Sequence, residues 1–588
     1  MVKSLYLDHE TFNAVSVTDV GTYAYAEHPS LERLLTTWSK GRGDIYDWDA
    51  TDTDARDREE DRFYSAVDDA DEFVAHGAMF DRNISRATLD HPKLLERDRW
   101  RCTMAKAYFH GFPGGLDALC RILKVPEESA KIKEGKALIR RFCGPAPRNH
   151  KADRYDRWSH PDEWDRFVRY GRQDIAAMRI VDDRLPSWND DPDLYHLDQR
   201  INDRGMQIDR ELVEAGRTES ARESIRLKKR FQEIVGPGAL EAPTQREKFK
   251  DYMGERFGLD LPNTQAETLE GIQAELDEGE IAHELIEIAL RANKTSTAKY
   301  AKLAPALSSD DRFRGGLQVS GAARTRRWSG RVFQPHNLPS RGLPKYDQIE
   351  LFISALKTGM VSELSFDNQV LLASAALRGA VVAPEGRWLS VADLSNIEGR
   401  VNAWFAGERW KLQAFADYDT FLVGNHGGPV IGEDGKPIRK GPDLYRVTAA
   451  QMLSKDIDDV TQEDRDKIGK VAELAFGYQG GVGALQNFAS GQMSALMDMI
   501  REDLHQYLDL AIDNYERWGQ EKATVDETEW LASESIKLAW RARHPRIVQL
   551  WKDTEEAARK AIQRPGTTWS TGRLAFRAQS HAGFSYLL

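Results

Sequence analysis

At 588 residues the chain is longer than one hydrophobic core usually supports, so three or four domains are expected. Hydrophobic residues make up 41% and charged residues 30%, with a formal net charge of −12, as suits a soluble multidomain enzyme. A membrane-spanning chain, a secretory leader and a cysteine-stapled scaffold are excluded. No apolar stretch is long enough to cross a bilayer. The opening MVKSLYLDHETFN has no apolar core before Asp8 and Glu10 arrive. Cys102, Cys120 and Cys143 lack metal-ligand spacing and read as buried thiols of a reducing cytoplasm. The acidic sum argues weakly against a nucleic-acid partner, but local distribution matters more.

In chain order, KSLYL (3–7) reads as a short strand delivering Asp8 and Glu10 to its C-terminal end. DEFVAHGAMFD (71–81) reads as a strand followed by a helix start, and residues 162–186 as a helix stopped by Pro186. Residues 1–190 thus form an α/β unit, and the polar SWNDDPD (187–193) is a linker. Residues 194–310 read as helical and strongly charged. From Arg312 to Lys345 eight cationic residues occur with no Asp or Glu, so this segment is either a phosphate track or a solvated basic loop. Residues 386–407 read as a strand running into a helix. The remainder is helix-rich around a Gly- and Pro-rich insertion at 423–443.

Two groups of residues carry chemistry. Asp8 and Glu10, two apart on a strand, share a face. Neighbouring carboxylates repel unless a cation neutralises them, and such oxygen ligands suit Mg²⁺ or Mn²⁺. Asp81 follows Phe80, and Tyr170 lies four residues before Asp174, one helical turn away. A lone D-x-E is common on surfaces; the ordered set is more specific. In the basic stretch, ARTRRWSGRVFQPHNLPS (323–340) offers arginines for phosphates, Trp328 for stacking or packing, and Gln334 and Asn337 for groove contacts. VADLSNIEGR (391–400) places Asp393 at the end of an apolar strand, as a metal ligand or a helix cap.

The order D-x-E, x-F-D, Y-x-x-x-D resembles the tyrosine-bearing DEDD exonucleases, over about residues 1–190. That resemblance implies an RNase H-like domain in which Asp8, Glu10, Asp81 and Asp174 hold two Mg²⁺ ions and Tyr170 orients the attacking water. His76 stands where that family commonly has Asn.

T-x-R-x-S…Q-x-x-N-L-P (325–339), D-x-S-x-I-E-x-R (393–400) and GKVAELAFGYQGG (469–481) resemble family A DNA polymerases; INDRGMQID, NKTSTAKY and DLYRVTA are further echoes. The resemblance implies a multidomain α/β and α+β chain. An exonuclease at 1–190 would precede a helical thumb at 194–310, a palm at 311–422 and fingers at 423–588. Asp393 would bind the catalytic Mg²⁺ ions. Glu398, Arg400, Lys470 and Tyr478 would bind the deoxynucleoside triphosphate, Glu398 by walling off the sugar 2′ position. Arg324, Arg327, Arg331, Gln334 and Asn337 would contact primer–template DNA. Two positions depart from the pattern: Asp466 stands where a fingers arginine is usual, with Arg465 one step off, and Tyr445 stands where His is common.

Nucleotidyl transfer on two metals needs a second palm carboxylate, which the family carries in an H-D-E hairpin. No His-Asp-Glu occurs here, no acidic residue follows Glu556, and Asp498, Asp503, Asp509, Asp513 and Asp553 lie in helical patterns. Three explanations stay open: a second polypeptide supplies the hairpin, the reading frame is truncated, or the protein is a stand-alone 3′→5′ exonuclease and DNA-binding factor. A split or truncated proofreading polymerase is favoured. It would act in DNA replication in the cytoplasm, the host's if phage-encoded.

Overall fold

A computed structural model describes the chain except residues 1, 55, 130–133, 148, 150–151, 188–190, 237, 239, 294–296, 340–342, 365, 367, 425, 434, 490–499, 501–503, 524 and 588. Part of the 187–193 linker, part of NKTSTAKY, Arg341, Asp498 and Asp503 therefore lie outside the described residues. The chain divides into two compact units, Met1–Ser390 and Val391–Leu588.

The first unit begins with a five-stranded sheet in the order β3-β2-β1-β4-β5. Its strands are β1 (Ser4–Phe12), β2 (Glu32–Lys40), β3 (Ile45–Asp49), β4 (Glu72–Ala75) and β5 (Trp100–Cys102). β2 runs antiparallel to β1, and β4 parallel to it. β1 is longer than the sequence suggests. Asp8 and Glu10 lie inside it, opposite Thr37 and Leu35, because β2 continues the ladder to Phe12. Of β1, β4 pairs with Ser4, Leu5 and Tyr6 alone, so on that side the two acids stand beyond its end. Leu5, Leu7, Trp38, Trp48 and Phe63 fill one face of the sheet.

Helices Asp191–Arg204, Arg210–Val235, Arg246–Phe257, Ala266–Gln273 and Ile281–Ala292 follow. Phe231, Phe249, Met253 and Leu285 form one core here, and Leu212, Tyr300, Phe352 and Leu377 another. Gly216 is needed where it stands, since a Cβ would lie 2.5 Å from the Tyr300 ring.

The second unit is helical around Met452, Ile468, Phe476, Ile536 and Trp540. The insertion is a ribbon of single bridges, Phe421↔Arg439, Val423↔Pro429 and Ile431↔Pro437. One expectation fails in this half of the chain. No strand forms at 386–394; Trp388 and Val391 are about nine-tenths exposed there, and a strand without a partner ladder leaves its backbone groups unpaired. Within the helix-rich remainder, Thr568–Thr571, Leu574–His581 and Phe584–Leu587 form an antiparallel sheet. Its second hairpin turns through Ala582 and Gly583, both at positive φ, the two-residue geometry that matches strand twist. No described helix is long and apolar enough to cross a membrane.

Candidate functional site

Alternation along β1 puts Tyr6, Asp8 and Glu10 on one face, and the Pro161–Arg184 helix covers it. Ile175 and Met178 pack on Tyr6 and Val74, and the Tyr6 hydroxyl donates to Asp182 Oδ2 at 2.7 Å. That helix carries Tyr170 and Asp174 one turn apart, both buried. Asp81 arrives from the first turn of helix Met79–Thr88, where its Oδ1 accepts the His9 N–H at 3.1 Å. Glycines at 135 and 171 allow close packing; a Cβ on the first would strike the Tyr170 ring, and on the second the Thr37 side chain of β2.

The electrostatics are those of crowded acid. Burial, then the charge of Asp8, pushes the Asp81 carboxyl well above its usual range, against two backbone N–H bonds. Burial pushes the Tyr170 phenol up, followed by the charges of Glu10, Asp174 and Asp8 and a hydrogen bond with Asp174. Cys143, expected only as a buried thiol, reaches the site: its thiol donates to Glu10 Oε2 at 3.6 Å, and burial, then the Glu10 charge, keeps it protonated. No spacing rule signals that approach. His76, standing where Asn is usual, bonds Thr103 Oγ1 and the Gly114 carbonyl at 2.8 and 2.7 Å.

Oxygen donors that raise one another's pKa fit a hard divalent cation. They are grouped by charge rather than closed into a cage: among the described residues no three His, Cys, Asp or Glu side chains stand within reach of one metal ion.

In the second unit, Glu398 and Tyr478 line one cleft of about 640 Å³ together with Val401, Asn402, Phe405 and Trp551. Glu398 sits in the first turn of helix Ile397–Ala406. Tyr478 follows helix Val471–Phe476, which a π-helical turn, Asp464–Lys470, precedes. Arg400 is held by Asp419 through two bonds of 2.6 and 2.9 Å. Asp393 is exposed on irregular chain, and neither it nor Lys470 is part of the cleft lining.

No family model matches the chain. Over 572 residues it is 31% identical to the DNA polymerase of Bacillus phage SP02, a match spanning 96% of this chain and 77% of that one. This chain belongs to that DNA polymerase family. The POL domain of Pol1 from M. smegmatis, solved in complex with DNA primer-template and dNTP, aligns with 100% of this chain and 89% of its own at 14% identity and a TM-score of 0.48.

In this polymerase the carboxylate-free stretch is not uniformly open. Arg314 is paired at 2.7 Å with both oxygens of Asp310, and Arg312 donates to the Arg204 carbonyl at 3.1 Å. Arg331 is half-buried against Gln318 at 2.5 Å. Trp328 packs rather than stacks: it joins the core beside Val319 and donates to Asp198 Oδ1 at 2.8 Å. Arg324, Arg326 and Arg327 are exposed. Asn337 Nδ2 donates to Gln334 Oε1 at 3.0 Å, and Lys299 donates to the Asn337 carbonyl at 3.0 Å. Val332 and Gln334 have φ of 54° and 50°, and a β-branched residue there is strained.

The two departing positions meet. Arg465 lies over the Tyr445 ring at 5.3 Å and donates to Asp443 Oδ2 at 3.0 Å, the carboxylate that also caps helix Leu444–Leu453. The i→i+5 bonding of the π turn brings Arg465 nearer the Lys470 face than an α-turn would.

Proposed function

We propose that this DNA polymerase is of family A and carries a 3′→5′ proofreading exonuclease within residues 1–190. The observation that carries the exonuclease is the shared face of β1, where Asp8 and Glu10 lie under the helix bearing Tyr170 and Asp174. Asp8, Glu10, Asp81 and Asp174 would hold the metal. When bound, two Mg²⁺ ions supply a clamp on the attacking and leaving oxygens of in-line displacement at phosphorus. Tyr170, protonated and hydrogen-bonded to Asp174, would orient the attacking water. Asp8→Ala with Glu10→Ala should abolish Mg²⁺-dependent digestion of a 3′-labelled oligonucleotide. Undiminished digestion by that double variant overturns the assignment.

For synthesis, Glu398 would wall off the sugar 2′ position, Tyr478 would close on the nascent pair, and Lys470 would meet the triphosphate. Asp393 would hold Mg²⁺ in the palm. Arg324, Arg327, Gln334 and Asn337 would follow the primer–template. We take the second palm carboxylate to come from outside these 588 residues, from a second polypeptide or a longer reading frame, because no His-Asp-Glu lies within them. Asp509 and Asp553 sit within helices His505–Asn514 and Pro545–Gln563, and we take neither as the substitute. In an exonuclease-dead background the 588 residues should extend primers poorly, and a fragment carrying the hairpin should restore synthesis. Robust extension by the chain alone, lost in Asp393→Ala, would show that another residue fills the role.

A further inference from the structure

One side chain, that of Asn402, joins the two walls of the cleft. Helix Val471–Phe476 is fixed against rotation by a buried carboxylate. Glu473 accepts from Thr448 Oγ1 and Trp540 Nε1 at 3.0 Å each, lies 3.1 Å from His544 Nε2, and pairs with Lys411. Those partners come from three other stretches of chain, around Lys411, around Thr448, and from Trp540 to His544. Beyond Phe476 the backbone is tied less closely. Arg541 donates to the Gly480 carbonyl at 3.2 Å, and Asn402 Nδ2 donates to the Gly477 carbonyl at 2.6 Å.

The second bond is informative because of where its ends lie. Gly477 caps the helix, and the last carbonyls of a helix have no partner within it. Gly477 immediately precedes Tyr478. Asn402 sits one turn after Glu398 on helix Ile397–Ala406, on the same face, and lines the same cleft. One amide therefore joins the helix presenting Glu398 to the residue before Tyr478.

We propose that Asn402 is a positioning residue that sets the separation of Glu398 and Tyr478, and through it the discrimination between deoxy- and ribonucleoside triphosphates. This rests on reading the cleft as the nucleotide site. A donor is required, not merely a polar group, since the partner is a carbonyl oxygen. Asn402→Asp keeps the shape and removes the donor, Asn402→Ala removes both, and Asn402→His returns an N–H at a similar position.

The test is equilibrium binding of a complementary dNTP and rNTP to the 588-residue chain on primer–template ending in a dideoxynucleotide, with thermal midpoints recorded. For the Asp and Ala variants, dNTP affinity should fall by up to about tenfold, the range of one hydrogen bond. Their rNTP affinity should hold, the midpoint should stay within about 2 °C, and the His variant should recover part of the ratio. An unchanged dNTP/rNTP ratio in the Asp and Ala variants overturns the proposal. So does a parallel loss of both nucleotides with a lowered midpoint, which marks a purely structural bond. If the unsubstituted chain binds neither nucleotide, the cleft reading itself fails and takes the proposal with it. Should the Ala variant not fold, the isosteric Asp and His pair decides by the same ratio.

Discussion

The two units treat buried carboxylate in opposite ways. In the first, Asp81 is buried beside another acid, and only backbone N–H groups oppose the rise in its pKa. In the second, Glu473 is also buried, yet the Lys411 charge and His544 outweigh burial and hold it down at about 2. Burial alone therefore does not decide the state of an interior acid; the sign of its neighbours does. An acid saturated with donors is finished as structure. Asp81 has no cation among the causes that set its pKa, which is the setting expected of the metal ligand proposed above.

The sharpest way to break that contrast is Asp81→Asn. A carboxyl whose folded pKa lies above its ordinary value of 3.8 costs stability at neutral pH, and the cost fades as pH falls. The variant should therefore melt higher than the unsubstituted chain without Mg²⁺ at pH 7.5, by a margin that shrinks on acidification. Added Mg²⁺ should raise its midpoint less, and nuclease rate should drop on the order of 10³-fold for want of a ligand. A variant that melts lower without metal and responds fully to Mg²⁺ would remove Asp81 from the metal site.

Glu473 should give the opposite pattern. Its folded pKa of about 2 lies below the ordinary 4.5, so its stabilisation is present above pH 4.5 and lost as pH falls toward 2. That is about 3 kcal/mol, to be read as a steeper acid unfolding limb than Glu473→Gln shows. Glu473→Ala should cost about 3–5 kcal/mol at pH 7 by leaving Lys411 charged in the core. Glu473→Leu with Lys411→Met should cost far less. If the single and double variants melt alike, the pair is not coupled.

The legible and illegible parts of the sequence divide along similar physical lines. β1, the Pro161–Arg184 helix and the acids on them follow from local periodicity, and the shared face of Asp8 and Glu10 follows from strand alternation. What depended on partners was not legible. The extent of β1 was set by β2, some thirty positions on, and the expected strand before Asp393 had no ladder to join. The C-terminal hairpins carry little local signal: Gly583 suits its turn, but Ala582 beside it is not a residue that favours positive φ. Cys143 against Glu10, Arg465 over Tyr445 and Asn402 on Gly477 are tertiary contacts without a sequence pattern. The basic stretch was half legible: composition located it, but could not tell that Arg312, Arg314 and Arg331 are used internally.

That division yields a smaller prediction. Replacing Arg324, Arg326 and Arg327 with Ala should weaken primer–template binding about 10- to 100-fold near 0.1 M salt and reduce the salt slope by about 2–3. Arg312→Ala with Arg314→Ala should leave the slope unchanged and lower the thermal midpoint instead. An unchanged slope in the triple variant would show that DNA follows another surface.

The smallest effect probes the contrast within the first unit. Asp198 is 1% exposed, and its pKa is pushed up to about 6 by burial, against hydrogen bonds from Trp328 and Gln199 and the Arg331 charge. Asn202 donates to it as well, at 3.2 Å. Donors of this kind are too weak to hold a charge as Lys411 and His544 do for Glu473. Ionised at neutral pH, Asp198 costs up to about 3 kcal/mol, recovered as pH falls through 6. Asp198→Asn removes that cost and can still accept from Trp328, though its amide faces the donors of Gln199 and Asn202, so the net gain should be near 1 kcal/mol. The variant should melt slightly higher than the unsubstituted chain at pH 7.5 and level with it at pH 5. DNA affinity should not change, because Trp328 keeps its bond and the neighbouring Arg327 keeps its place. A variant that melts lower at both pH values would mean that the neutral donors suffice to stabilise the buried charge, and that the rule drawn from Glu473 is too simple.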